Sequence, residues 1–467
     1  MGKYGKLLKN SVIFALANVG SYLISFLLVR FNTEFLTTDQ YGIVDFFTVT
    51  ASLVIPIFTL AVVEAVLRFS IDHASQEEVF VNGIAISTTG SCAFCIVGSL
   101  LFSRTQYSQY FVYLLLLVFI TSTNNICAQY ARGSGRVTVF AFSGIVKSVA
   151  LAGSNILFLL VLKWNIHGYL LSMIIAEFSS ICYISASVRL WKCFRARINW
   201  KLIKEMVTYS LPLVPNSLSW WGMNASDKYV IFAVLGPSAA GIYAVSHKIP
   251  TLINLCNRIF FQAWQLSAVE ESSSETKADF YTEVFNFLSL VLILAAAFLM
   301  LFLRPVMNLL TSDTFGDAWK YSPFLIIGLV FSAYAGFLGT NYVAMKKTKG
   351  AMKTTLFGVA VNMVLNLILV YPLGMTGTAI ATMIGFLATW LYRAYDTREF
   401  VKIAYNIPAM VISFVMLILQ ASMLISESPK SGVISLLTCL VIILLYRKEL
   451  MRLAEIFISA FRSKFKH

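Results

Sequence analysis

Three ionisable side chains lie in the middle of long apolar runs: Lys147, Glu177 and Lys248. At about 1.5 Å of rise per helical residue, Lys147 is about 15 Å into its run, and Glu177 and Lys248 are each about 13 Å in. Facing lipid, each would cost roughly 2.5–3.5 kcal/mol, so all three must face a bundle interior or a wet cavity. Two kinds of chemistry follow. A lysine is a mobile point charge that attracts an anion without demanding bidentate geometry. A carboxylate at such depth can take up and release a proton, which makes Glu177, and Glu64 nearer a helix end, the positions for H⁺ or Na⁺ coupling. The plainer alternative is that a lysine pairs with Glu177 and simply locks the bundle. A second set of charges sits at helix ends. Arg30, Asp45, Asp227 and Lys228 lie toward one side, and Glu64, Arg68 and Arg258 toward the other. Asp227 and Lys228 are adjacent, so on a helix they do not face each other and at least one needs a partner elsewhere. Arg30 suits Asp227 as that partner. Arg30, Asp227, Lys228 and Arg258 therefore form a candidate gate, and snorkelling at helix ends is the competing reading.

The elements that carry these charges are membrane helices. The chain has 467 residues, 58% hydrophobic and only 12% charged, with a mean hydropathy of +0.77. A soluble chain would carry about 25% charged residues. The apolar runs are about 20 residues long, not the ten-residue alternation of an outer-membrane barrel, so the class is an all-α integral membrane protein. The net charge of +14 does not point to nucleic acid, because the basic residues sit in short loops between apolar runs. Cys92 and Cys95 form a C-x-x-C inside an apolar run with no second pair nearby, which favours packing over metal or redox chemistry. Lys3, Lys6 and Lys9 precede an apolar run at 12–29 that lacks a cleavage site and reads as the first membrane helix.

Fourteen spans are expected, at about 11–33, 41–66, 80–102, 109–130, 137–162 and 168–189, then 207–234, 239–265, 281–303, 323–344, 353–372 and 376–395, and finally 408–425 and 431–446. With the N-terminus inside, 26 of the 36 basic residues fall on the cytoplasmic side and 5 on the outside. That asymmetry places both termini in the cytoplasm. No connector is long enough for a folded domain.

The chain also repeats itself. Phe35–Val44, with Tyr41-Gly42, resembles Val234–Tyr243, with Ala240-Gly241, at an offset of 199 residues. The turn Ala131–Gly135 pairs with Lys346–Gly350, and Gly168–Ile174 with Gly377–Met383, at offsets of 215 and 209. A repeat of six spans keeps both halves in one orientation, with a pseudo-two-fold axis along the membrane normal. The expected organisation is a six-helix lobe at 1–200, a second at 201–402, and an extra helix pair with a basic tail at 403–467.

Several of these residues resemble a known family. Leu211-Pro212 opening a helix, Ser226-Asp227-Lys228-Tyr229, Gly241-Ile242-Tyr243 and Lys248-Ile249 look like the seventh and eighth helices of Wzx-type polysaccharide repeat-unit flippases. These belong to the multidrug/oligosaccharidyl-lipid/polysaccharide (MOP, MATE-like) exporter superfamily. Glu34…Tyr41-Gly42 and the Lys346–Lys349 turn are similar to that family's turns. The resemblance implies two six-helix lobes forming a V around a central cavity and working by alternating access. It implies an O-antigen or related oligosaccharide on undecaprenyl diphosphate, carried to the periplasmic leaflet of a bacterial inner membrane. Lys147 and Lys248 would then attract the diphosphate. Arg30 is the only basic residue between Lys9 and Arg68, unlike the arginine-rich start of the peptidoglycan-precursor branch. No cofactor is expected beyond H⁺ or Na⁺ coupling. The expected partners are the lipid-linked oligosaccharide, membrane lipids and other polysaccharide-assembly membrane proteins, and not nucleic acid. A cation-coupled multidrug exporter is the alternative within the superfamily. A polymerase or glycosyltransferase is the alternative outside it, disfavoured because the outside loop Arg304–Pro323 holds Asp313 and Asp317 without a basic cluster or a histidine.

Overall fold

The computed structural model describes residues 20–451 except 22, 73–74, 103, 255–256, 258–259, 262–263, 265–276, 346–347, 400 and 448. The leading lysines, Arg258 and the basic tail lie outside the described residues. Among the described residues the regular structure is helical throughout. Nine helices there are long and apolar enough to cross a membrane. The helices are α1 (23–35), α2 (Thr38–Phe58), α3 (Val62–Asp72), α4 (Gln76–Phe102), α5 (Phe111–Gly133), α6 (Val137–Asn155), α7 (Asn165–Val188) and α8 (Trp200–Ser210). They continue with α9 (Val214–Leu235), α10 (Pro237–Ser246), α11 (Lys277–Leu301), α12 (Leu303–Leu310), α13 (Ser322–Ala344), α14 (Thr348–Asp396), α15 (Ile407–Ile425) and α16 (Ser431–Leu445).

Local chemistry explains where these helices start and break. Thr37 and Gln40 form a capping box that opens α2, satisfying two donors that the first turn leaves free. Pro56 brings no N–H to the Ser52 carbonyl. Just beyond it α2 ends, and Leu60 and Ala61 take left-handed φ values of 53° and 51° before α3 begins. The expected span at 41–66 is therefore two helices. Pro250 acts in the same way: α10 stops at Ser246, and Lys248 sits in the turn at 247–250. The carbonyl Pro250 cannot serve is that of Ser246, and it accepts instead from Ser322 Oγ at 2.7 Å. In α14 the break is Gly374, with φ 56° and ψ −138°. A Cβ on Gly377 would lie 2.1 Å from the Leu369 carbonyl oxygen, so the chain reverses there, between the expected spans 353–372 and 376–395.

Contacts divide the chain into two compact units. The first comprises Met1–Lys228, Gly236–Gly241 and Leu310–Ser312, and the second Tyr229–Leu235, Ile242–Leu309 and Asp313–His467. One core of the first unit gathers Phe47, Val54, Phe94, Phe111, Leu114 and Leu170 from α2, α4, α5 and α7. A second gathers Val62, Phe80, Ile126 and Met206 from α3, α4, α5 and α8. Phe142, Val149 and Ile156, on α6 and just past its end, stay exposed; such apolar faces meet lipid at no cost. Cys92 and Cys95 are likewise exposed on α4 and unbridged.

The two repeated turns touch inside the first unit. A Cβ on Gly42 would lie 1.9 Å from the Pro237 carbonyl oxygen, and one on Gly241 would lie 2.0 Å from that of Thr38. Residues 38 and 237, and 42 and 241, are both 199 apart. The contact is therefore reciprocal: each copy meets in the other what the other meets in it, as in a two-fold interface. Thr38 and Ser238 hydroxyls hydrogen-bond beside it at 2.7 Å.

In the second unit α11 packs on α13 and α16 through buried Phe285, Tyr334, Phe337 and Tyr446. Ser289 bonds Tyr334 at 2.5 Å. A charged clasp ties the loop before α13 to the α15–α16 turn: Lys320 binds Asp317 at 2.9 Å and Glu427 at 2.8 Å, and Arg304 reaches Glu427 at 3.7 Å. The Lys320 ammonium holds the Glu427 carboxyl below its ordinary range.

Candidate functional site

A cavity of about 460 Å³ opens into the first unit between α2, α5, α6 and α7. Its volume suits a small ligand or one portion of a large one. Ala51, Ile55, Leu117, Leu151 and Met173 make it largely apolar, and Thr48, Ser52, Thr121 and Asn125 add hydroxyl and amide groups. Ser52 and Pro56 both line it, so the carbonyl freed by the proline belongs to a wall residue.

Lys147 and Glu177 also line this cavity, as their similar depths in the sequence lead one to expect, and they form an ion pair. Lys147 Nζ donates to Glu177 Oε1 at 2.5 Å. The two partners differ in environment: the Lys147 side chain is 43% exposed and that of Glu177 only 6%. Asn124 Nδ2 donates to Glu177 Oε2 at 2.6 Å, and Thr121 Oγ1 to Oε1 at 3.3 Å. A buried carboxylate needs such donors as well as a counter-charge. Residues 121 and 124 are one helical turn apart on α5, hence on one face. Sequence reasoning missed both, although the run Thr121-Ser122-Thr123-Asn124-Asn125 inside an apolar helix was a visible signal. The side-chain carbonyl oxygen of Asn124 is buried without a partner among the described residues.

The other expected residues are dispersed. Lys248 is half-buried in its turn in the second unit, with no hydrogen bond or ion pair to its ammonium among the described residues. Glu64 is exposed in the first turn of α3. Lys228 pairs with Asp45 of α2 at 2.9 Å, each side chain 17% exposed. Asp227 is buried and accepts from the Lys228 backbone N–H at 2.9 Å. The expected Arg30–Asp227 pair is not formed. Arg30 binds Glu34 at 3.2 Å, four residues along its own helix, and donates to the Thr311 carbonyl. A local carboxylate and the Thr311 carbonyl hold it, which sequence spacing to a distant helix could not reveal. Nearby, Ser312 Oγ donates to the Thr33 carbonyl and Ser312 N–H to Thr33 Oγ1, at 2.5 and 3.1 Å.

Two further polar sites lie in the second unit. Arg393 is 5% exposed and donates to the Ala335 carbonyl at 2.7 Å, Thr355 Oγ1 at 2.8 Å and Thr354 Oγ1 at 3.1 Å. Asn366 Nδ2 donates to Asn362 Oδ1 at 3.0 Å, and Asn362 Nδ2 to Thr382 Oγ1 at 3.2 Å.

The family model for a polysaccharide biosynthesis protein matches residues 7–265, more than half of the 467. The chain belongs to that polysaccharide biosynthesis family. It is similar to the probable low-salt glycan biosynthesis flippase Agl15 of Haloferax volcanii, at 21% identity over 336 residues, 70% of this chain and 69% of that one. Its fold matches the lipid II flippase MurJ in an inward closed conformation, with TM-score 0.66 at 13% identity over 94% of this chain and 99% of that one. It also matches an inward-facing multidrug resistance MATE family transporter of the MOP superfamily, with TM-score 0.64 at 16% identity over 84% and 95% of the two chains. The protein is thus a multi-pass membrane protein with the MOP transporter fold, and its relatives are transporters rather than catalysts.

Proposed function

We propose that this protein is a flippase for an oligosaccharide linked to undecaprenyl diphosphate, an O-antigen or related repeat unit. It would carry this substrate from the cytoplasmic to the periplasmic leaflet of a bacterial inner membrane by alternating access between two six-helix lobes. Membership of the polysaccharide biosynthesis family and the likeness to Agl15 support a lipid-linked glycan. The observation that carries the reading is Lys147, a half-exposed cationic side chain on the wall of an otherwise largely apolar cavity. A diphosphate leaving water needs compensating positive charge, and a flexible lysine supplies it. Lys248, whose ammonium has no partner among the described residues, supplies a second cation. Arg30, Asp227, Lys228 and Arg258 belong to the gate in this reading, with Lys228 on Asp45.

One observation favours the alternative of a cation-coupled exporter of small molecules: Glu177 neutralises Lys147 in this structure, so the described residues of that cavity wall carry no net charge. A single assay separates the two. Protein in vesicles is given fluorescent lipid-linked oligosaccharide, with and without a pH gradient. Wild type should translocate it, and Lys147→Ala and Lys248→Ala should each lose most of the rate. Full activity in both variants would remove the diphosphate site, and no translocation by wild type would favour the exporter.

A further inference from the structure

We propose that Glu177 exchanges its lysine for a proton when a phosphate group enters the cavity, so that phosphate and H⁺ bind together. This rests on the reading of Lys147 as the phosphate ligand. The Lys147 side chain is half-exposed and lines the cavity, so its ammonium can swing toward an incoming anion. Glu177 cannot follow it. Its side chain is 6% exposed and is held by Asn124 and Thr121. Once Lys147 turns away, those two neutral donors are all that remain to an ionised carboxylate among Leu117, Leu151 and Met173. A buried carboxylate without a counter-charge takes a proton rather than stay ionised.

Among the described residues of the cavity wall, no other titratable group substitutes for the lysine. α2 presents Thr48 and Ser52, α5 presents Thr121 and Asn125, α6 presents Lys147, and α7 presents Glu177 itself. The protonated form is also provided for. Asn124 has a buried side-chain carbonyl oxygen without a partner among the described residues. Turning its amide over would let that oxygen accept from the new carboxyl O–H while remaining against Glu177. The balance is simple. One proton from water binds the Glu177 carboxylate, the Lys147 ammonium keeps all its protons and moves to the phosphate, and no other bond forms or breaks. Release of the phosphate reverses each step, so one proton leaves with it.

Proton uptake by the full chain in detergent tests this, using farnesyl diphosphate as probe in weak buffer at a mildly alkaline pH where the probe is fully ionised. Wild type should take up about one proton per ligand, and its apparent affinity should fall toward tenfold per pH unit as pH rises, one bound proton's worth of linkage. Glu177→Gln should take up none, bind more tightly because Lys147 is already free, and show a flat pH profile. An infrared difference spectrum of wild type, which needs no variant to fold, should show a new carboxylic-acid carbonyl band when the probe is added. Equal proton uptake in wild type and Glu177→Gln, or no such band, would overturn the exchange. Lys147→Ala separates this from the parent reading. If it binds the probe like wild type, the phosphate reading itself fails. If it loses binding while Glu177→Gln keeps the wild-type proton count, only the exchange fails. Uptake driven by either farnesyl diphosphate or methyl diphosphate, a headgroup analogue equally ionised at this pH, supports the exchange. Uptake with the former alone assigns a lipid headgroup as its source, and equal uptake with both assigns the free anion.

Discussion

At the scale of single residues, the ion pair between Lys147 and Glu177 is asymmetric, and its variants should be too. Lys147→Ala leaves a Glu177 side chain that is 6% exposed to bear the cost of losing its counter-charge, whether by staying ionised or by taking a proton, whereas Glu177→Ala leaves a Lys147 side chain that is 43% exposed and can keep its water. Breaking a buried pair from the side that leaves the deeper charge costs about 3–5 kcal/mol, while a solvated partner is worth about 1 kcal/mol or less. Thermal unfolding in detergent should therefore fall clearly further for Lys147→Ala than for Glu177→Ala. A Lys147→Met, Glu177→Leu double variant should recover much of the loss, since apolar replacement of both partners removes the desolvation cost. Equal losses in the two single variants would show that the carboxylate is better solvated than its burial implies. The sequence located both residues at matching depth, because a charge in an apolar run stands out. It could not choose between substrate and carboxylate as the partner of Lys147, because that choice depends on how α6 and α7 are rotated against each other. Arg393 shows the same limit. It reads as one more cation at a helix end, yet it is 5% exposed and bonded to a carbonyl and two threonines.

At the scale of elements, the reciprocal crossing of α2 and α10 is a tightly constrained contact in the first unit. Each glycine lies where any Cβ would fall about 2 Å from a carbonyl oxygen of the other helix. Those atoms are backbone and cannot rotate away, so even alanine must push the helices apart. Overpacking of this kind costs typically about 1–3 kcal/mol. Gly42→Ala and Gly241→Ala should each lower the unfolding temperature in detergent by a similar amount, because the two positions are equivalent. A Thr38→Cys, Ser238→Cys pair should cross-link under mild oxidation, since the native hydroxyls are 2.7 Å apart. If these turns part during transport, the cross-linked protein should stop translocating in vesicles and recover on reduction. A cross-linked protein that still translocates at the wild-type rate would show that the crossing stays closed throughout the cycle. The sequence aligned Gly42 with Gly241 as equivalents but had no means of showing that they touch. Equivalence is a property of the pattern, whereas contact depends on how the two turns pack within the first unit.

For the whole molecule, the helical class and most boundaries were legible because apolar run length and basic loops report directly on a membrane environment. Helices α4, α5, α7, α11 and α15 fall where hydropathy places them. The interrupted elements were less legible, since prolines and glycines end helices without ending the apolar run. Thus 207–234 and 239–265 read as spans, while the structure gives α9 after a broken start and an α10 of only ten residues that stops at Ser246. Whether both cross the membrane decides the orientation of everything after them. In a background lacking the seven native cysteines, single cysteines at Thr105, Ser134, Lys349 and Ser426 report that orientation. Thr105 lies after the third expected span and Ser134 after the fourth, so these two should fall on opposite faces. Six expected spans separate Ser134 from Lys349, and three separate Lys349 from Ser426. A membrane-impermeant maleimide should label Thr105→Cys and Ser426→Cys in intact cells, and Ser134→Cys and Lys349→Cys only after permeabilisation. If either α9 or α10 fails to cross, Lys349→Cys moves to the face of Thr105→Cys and Ser426→Cys to the other. The two copies would then run in opposite directions, and a two-fold axis along the membrane normal could not relate them.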